Sequence, residues 1–150
     1  HKIIESNKVE KHDVLKKMLD LGADPRIKDS NGWTAMHYAC QFGDEQSVKI
    51  LLETNIIIDD YSNNHKTPLH FACSLNFPNI VRMLLEKGSN PNFKDHSGCT
   101  PLHMAAKHGN NDCLDLLLNN KADLYSVDFR KWNILHYLPL LPTLSCSSFW

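Results

Sequence analysis

Thr100-Pro101-Leu102-His103 is the stretch that decides the fold, because its pattern also stands at Thr34-Ala35-Met36-His37 and Thr67-Pro68-Leu69-His70. A degenerate copy follows at Asn133-Ile134-Leu135-His136. The starts at 34, 67, 100 and 133 are 33 residues apart each time. A second marker keeps the same interval: Met18-Leu19, Leu51-Leu52, Leu84-Leu85 and Leu117-Leu118. Two unrelated markers in one register over most of a chain are the signature of stacked structural units.

Working outward from Thr100, one unit reads as turn, helix, turn, helix. Asp95-His96-Ser97-Gly98 is a cluster of turn residues. Thr100 is suited to cap a helix through its hydroxyl, and Pro101 fits the first helical position, where an N–H is not needed. Leu102, Ala105 and Ala106 form one apolar face at helical spacing. The alanines are small enough to let a neighbouring helix approach. Gly109 ends this helix at a position that tolerates positive φ. Asn110 is expected to cap the second helix, with Leu114, Leu117 and Leu118 as its core face. The unit closes near Asn120-Lys121, where the preceding copies have Gly88 and Asn55. Asn76 stands where Gly43 and Gly109 stand. Asn is the best replacement for Gly at positive φ, so both asparagines are expected to preserve the turns.

The chain resembles the ankyrin repeat family. The resemblance rests on the Thr-Pro-Leu-His blocks, on Leu19 followed by Gly22-Ala23-Asp24-Pro25, and on the Asp-x-x-Gly turns at Asp29–Gly32 and Asp95–Gly98. It divides residues 1–137 into a partial unit at 1–28, full units at 29–61, 62–94 and 95–127, and a further partial unit from 128. It implies an all-α solenoid of antiparallel helix pairs, with hairpin-like turns projecting from one edge. Neighbouring units supply one another's core in such a stack. At the front, a helix over Lys8–Leu21, rich in Lys and acidic residues, suits a solvated cap. At the rear the pattern fails: Pro139 and Pro142 would interrupt a helix starting near Ile134. The apolar tail at 138–150 is either an irregular cap over the last unit or a product of gene prediction or truncation.

The sequence of 150 residues carries a formal charge of −1 and is 42% hydrophobic, which suits one soluble domain and gives no reason to expect nucleic acid as partner. No apolar run is long enough to cross a bilayer. Nothing near His1 reads as a signal peptide. A start at His rather than Met is read as an excised segment or a tag remnant. The odd set Cys40, Cys73, Cys99, Cys113 and Cys146 lacks a disulfide-framework spacing, so reduced thiols and a cytoplasmic or nuclear location are expected.

The chemical alternatives reduce to scaffold. His37-x-x-Cys40 and His70-x-x-Cys73 have ligand-like spacing, but they occupy equivalent places in two units and the next copy has Ala106 for the cysteine. Zinc needs four convergent ligands. The resemblance implies instead that the histidine of each block orients neighbouring turns by hydrogen bonding. Thr34, His37, Thr67, His70, Thr100, His103 and His136 are therefore read as structural. Cys99 near His96 and His103 lacks the orienting group and oxyanion donors of a nucleophile. The glycines make no phosphate loop. No catalytic residue, metal or cofactor is expected. The stripe Tyr38, Phe71, Met104 and Tyr137 is read as packing between units.

The resemblance also implies that partners are gripped by turn tips and by the concave ends of first helices. The positions so placed are Trp33, Phe42, Lys66, Leu75, Cys99, His108, Arg130 and Trp132. Trp and Arg are enriched at binding hot spots. Trp33 and Trp132 would stand about 25–30 Å apart across three helix layers, a footprint for an extended peptide or helix. Each could equally pack on its own neighbouring turn. The function expected is non-catalytic binding of a protein or peptide by a monomer. The alternative is a recruiting domain of a larger enzyme or membrane protein, such as an acyltransferase, kinase, ubiquitin ligase or channel. Self-association through the apolar tail is a third reading.

Overall fold

The computed structural model describes the backbone of residues 2–140 and the side chains of residues 11–137. The chain runs α1 (Lys2–Asp20), α2 (Ala35–Gln41), α3 (Glu45–Leu52), α4 (Pro68–Ser74), α5 (Pro78–Glu86), α6 (Pro101–Lys107) and α7 (Asn111–Asn119), followed by a 3₁₀ helix at Ile134–Leu140. Two layers result. The inner layer packs α2 on α4, α4 on α6 and α6 on the 3₁₀ helix; the outer layer packs α1 on α3, α3 on α5 and α5 on α7. Helices of seven to nine residues, such as α2 and α7, are too short to persist alone in water, so this stacking is what holds them. The result is an all-helical solenoid of stacked pairs, as the register predicts.

The core lies between the layers. Met36, Leu69 and Leu102 from the inner helices share one core with Leu51, Leu84 and Leu117 from the outer ones, and Ala39, Ala72 and Ala105 are buried among them. Cys40, Cys73 and Cys113 are buried here as thiols. Burial pushes the Cys40 thiol well above its ordinary pKa, so it behaves as a small apolar residue.

Turn chemistry follows the repeat with two corrections. Gly43, Asn76 and Gly109 share positive φ at 66°, 62° and 69°. Gly43 is needed for a second reason: a Cβ there would sit 2.7 Å from the Phe77 ring of the next unit. The closing turn, however, has positive φ at Gly22, Gly88 and Lys121, while Asn55 is not in the left-handed region. Asn110, expected to cap α7, makes no side-chain cap. Its amide donates across to the carbonyls of Cys73 (2.6 Å) and Ser74 (3.2 Å), tying α7 to the end of α4. The last carbonyls of a helix have no intrahelical donor, and the Asn110 NH₂ supplies one; the side-chain direction that does so comes with no Oδ1 cap on α7.

The ends differ from expectation too. α1 starts at Lys2 rather than Lys8 and exposes Val14 and Met18 among its charges. Leu118, expected in the core, is 39% exposed, because no outer helix follows α7 among the described residues. Past Asn133 the chain winds as 3₁₀ instead of α, in keeping with Pro139. The expected tail cap lies, from residue 141 onward, outside the described residues.

Candidate functional site

Each unit is joined to the next through its histidine. The backbone N–H of Thr34 donates to Nδ1 of His37 at 3.0 Å, and Thr67–His70 and Thr100–His103 repeat this at 3.1 and 3.2 Å. A backbone N–H can only donate, so Nδ1 is the bare nitrogen and the proton sits on Nε2. Nε2 then donates to the carbonyl of Lys66 (2.9 Å), Cys99 (3.0 Å) or Trp132 (3.0 Å) in the following unit. Burial drives all three imidazoles below the ordinary value, His70 to about 4, which keeps them neutral and in this tautomer. Both nitrogens are engaged, so none has a lone pair for a metal. Among the described residues no group of three His, Cys, Asp or Glu is arranged to hold one.

The projecting turns form a second ladder. The N–H of Asn63 donates to the carbonyl of Asn31, His96 to Asn64, and Phe129 to Ser97, at 2.9–3.0 Å. Each turn is closed from within by its first residue. Asp29 Oδ1 accepts from the N–H of Asn31 and Trp33, Asp95 Oδ1 from Ser97 and Cys99, and Asp128 Oδ1 from Arg130 and Trp132. The second carboxylate oxygen is where the units diverge. It takes the hydroxyl of Tyr38 in one turn and of Tyr137 in another. Met104 stands at that place in the third and has no hydroxyl, so Lys66 of the unit before supplies the donor to Asp95 at 3.1 Å. Where Phe71 stands there, the turn begins with Ser62, and no carboxylate needs a donor. This compensation was readable nine residues apart in the sequence, and reading the Tyr38–Tyr137 stripe as apolar packing alone missed it.

Against this frame the eight expected partner-binding residues separate. Trp33 is half-buried, with its ring 4.9 Å from Tyr38 and 4.7 Å from Phe71 of the next unit. Trp132 is also half-buried, lying against Tyr137 at 5.5 Å with the Arg130 guanidinium 4.0 Å above it. Trp33 is thus a joint between two units, whereas the Trp132 ring packs within its own unit, and both keep part of their surface exposed. Lys66 is tied to Asp95. Cys99 is 6% exposed, covered by Tyr137, whose hydroxyl lies 3.4 Å from its Sγ. A thiol so covered cannot meet a partner, and Cys99 belongs to the scaffold. Arg130 stays largely exposed while reaching Asp128 at 3.2 Å.

Phe42, Leu75 and His108 are different. They are the C-cap residues of α2, α4 and α6, equivalent positions 33 residues apart. All three are exposed, Phe42 at 73% and Leu75 at 41%. Leu75 also lines a recess of about 190 Å³ together with Gln41, Lys66, His70, Phe71, Ser74 and Met104. The backbones of the three C-cap residues are locked into helix ends, while their side chains are free.

Stacked inner and outer helices, a ladder of projecting turns and a histidine bridge between successive units define the class of helical-repeat solenoids. The family model described as ankyrin repeats in three copies matches residues 3–95. A second, described as ankyrin repeats in many copies, matches residues 75–118 and 102–138. The chain belongs to the ankyrin repeat family. Ankyrin repeats are generally protein–protein interaction modules and typically non-catalytic. Among the described residues no helix is long and apolar enough to cross a membrane.

Proposed function

We propose that this domain binds a protein segment along the row Phe42, Leu75 and His108, with Arg130 and the exposed parts of Trp33 and Trp132 flanking it. The observation that carries the reading is the contrast within one register. Scaffold positions are occupied by the same residue types in unit after unit, whereas the C-cap of the inner helix changes from Phe to Leu to His and is exposed every time. A backbone already locked loses no further freedom on binding, so only the ordering of the side chains opposes it and the row gains affinity by preorganisation. An apolar end at Phe42 and a polar end at His108 would also orient an asymmetric ligand. The four cysteines held as core thiols support a reducing compartment as the place where this happens.

The test is a quantitative capture from native lysate with wild type, the triple variant Phe42→Ala/Leu75→Ala/His108→Ala, and a control, Arg82→Ala, on the outer face. Proteins enriched by wild type and control should be lost by at least tenfold with the triple variant. Equal recovery by all three folded proteins sinks the assignment.

A further inference from the structure

A formal charge of −1 hides a division of charge across the stack. The projecting turns and inner helices occupy residues 28–43, 61–77, 94–110 and 127–137 and carry six cations against three carboxylates. The outer helices α3, α5 and α7 with their closing turns, residues 44–60, 78–93 and 111–126, carry four cations against nine carboxylates. The two sides are opposite in sign. From Tyr61 onward the inner side is more cationic still, with Lys66, Lys94, Lys107, Arg130 and Lys131 against Asp95 and Asp128. Those two carboxylates are 5% and 3% exposed, and each is already bonded by turn N–H groups and by Lys66 or Tyr137. Asp29, the third carboxylate, is exposed at the front, beside Tyr38.

The cations draw together where the binding row changes from apolar to polar. Lys66 lines the recess of about 190 Å³ beside Phe71, Ser74 and Leu75, with its Nζ 3.1 Å from Asp95 and 3.9 Å from the Met104 sulfur. Lys107 stands exposed in the last turn of α6, and His108 is the C-cap of the same helix. His108 registers both lysines. Partial burial, then the charges of Lys107 and Lys66, hold its imidazole below the ordinary pKa. Two like charges and an imidazole thus face one another beside an apolar recess, an arrangement that a negative charge would relieve. The ends of α4 and α6 add no attraction for anions of their own, because a helix C-terminus carries about half a negative charge. The pull comes from the side chains.

We propose that the segment bound along this row is acidic: a carboxylate side chain of the partner seats among Lys66, Lys107 and His108, and an apolar neighbour enters the recess at Leu75. The proposal rests on the row as the binding surface and adds the sign and direction of its ligand. The apolar part of the segment lies toward Phe42 and its acidic part over the rear units, where Lys94, Arg130 and Lys131 stand exposed. Units in such a stack are about 10 Å apart, close to the Debye length at 0.1 M salt, so cations on successive units act together on an approaching segment. Carboxylates fit these residues better than phosphates do. Phosphate sites are built from helix N-termini and Arg forks. Here the neighbouring helix ends are C-termini, and the Arg130 guanidinium is engaged by Asp128 and Tyr137.

The test is a selection of phage-displayed random peptides on the full chain, followed by affinity measurements on the enriched peptides. These should be rich in Asp and Glu beside an apolar residue. They should bind Lys107→Glu at least about tenfold more weakly than wild type, and Lys107→Gln more weakly by a smaller factor. Lys87→Glu, on the outer side, should leave their affinity unchanged, and added salt should weaken every complex. Lys107 is exposed, so circular dichroism of its variants should match wild type. Basic or uncharged peptides that are lost with Phe42→Ala/Leu75→Ala/His108→Ala overturn the acidic ligand and leave the row in place. Acidic peptides that respond to Lys107→Glu but not to Phe42→Ala/Leu75→Ala break the row and leave the acidic seat standing. A selection with no peptide that prefers wild type to Lys107→Glu overturns the seat. Tighter binding of a labelled DNA duplex or a phosphoserine peptide than of the selected peptides also overturns it, since the cations then read phosphate.

Discussion

Among the described residues the two ends of this solenoid differ in opposite ways. At the front α1 packs on the outer helix α3, and it flanks an apolar groove with α2. At the rear an inner 3₁₀ helix stands without an outer partner among the described residues, yet its key side chain, Tyr137, is only 1% exposed. The same turn chemistry serves both places with different results. Asp29 and Tyr38 pair at the solvent surface, whereas Asp128 and Tyr137 pair beneath the turn, with Arg130 and Cys99 closing over them. A repeat end is therefore not defined by its sequence motif alone. It depends on whether a neighbour buries the polar pair that the motif makes.

The largest effect expected from breaking this comparison is at the buried pair. The Asp128 carboxyl resists burial, which would raise its pKa. Hydrogen bonds from Tyr137, Trp132 and Arg130 outweigh that and hold it at about 2. Asp128→Ala takes the carboxylate acceptor from the Tyr137 hydroxyl and leaves two turn N–H groups without partners. A loss of about 2–4 kcal/mol is expected. Asp29→Ala breaks the same motif where water can replace it, so its loss should be clearly smaller. Urea melts of the two variants decide the matter, and equal losses would show that burial is not what separates the ends.

A comparable loss is expected between the ends. His70→Ala leaves the Thr67 N–H unpaired in a fully buried site, takes one of two donors from the Cys99 carbonyl, which keeps the Asp95 N–H at 2.8 Å, and opens a cavity. The cost should be about 2–4 kcal/mol. His136 repeats the motif at the exposed rear, accepting from the Asn133 N–H at 3.0 Å. His136→Ala should cost about 0.5 kcal/mol or less. The same bridges set a pH dependence. The folded-state pKa of His37, His70 and His103 lies below that of a free imidazole, so acid protonates the unfolded chain first. Stability is then full above about pH 6.5 and falls as the pH drops toward about 4, through protons that only the unfolded state binds. Denaturant midpoints at several pH values across that window check this, and a midpoint independent of pH would contradict the neutral bridges.

How far the sequence was legible follows from what a period can carry. The interval of 33 places the helix pairs from α2 to α7 and the column of histidines, because these are local patterns repeated, while the bridging role of the histidines came from the family resemblance and the hydrogen-bonded ladder between turns was not foreseen. It put Cys99 in the same column as Trp33 and Trp132, and so among the turn tips. What buries Cys99 is Tyr137, 38 residues away, and no periodicity states which side chain leans over which turn. The same limit explains Asn110: a capping residue type in a capping position was drawn off by carbonyls of the preceding unit. The exposure of Phe42, Leu75 and His108 was legible because the register that fixes their backbones leaves their side chains unaccounted for.

The smallest expected effect sharpens the comparison at the turns themselves. Gly32 and Gly98 hold the fourth turn position at positive φ, and His65 (59°) and Lys131 (63°) occupy the equivalent place with a β-carbon. At Gly98 the turns are too close for any side chain, since a Cβ would lie 2.5 Å from the Phe129 ring and 2.8 Å from its backbone nitrogen. At Lys131 the position is exposed, so only the backbone cost of the left-handed region applies. Lys131→Gly should stabilise the domain by about 0.5–1 kcal/mol, the released strain exceeding the entropy that glycine adds to the unfolded chain. His65→Gly should yield less, because its ring packs 4.9 Å from Tyr61 and 5.7 Å from His96 and those contacts are lost. Thermal melts showing the reverse order would mean that strain in these turns is set by their neighbours rather than by φ.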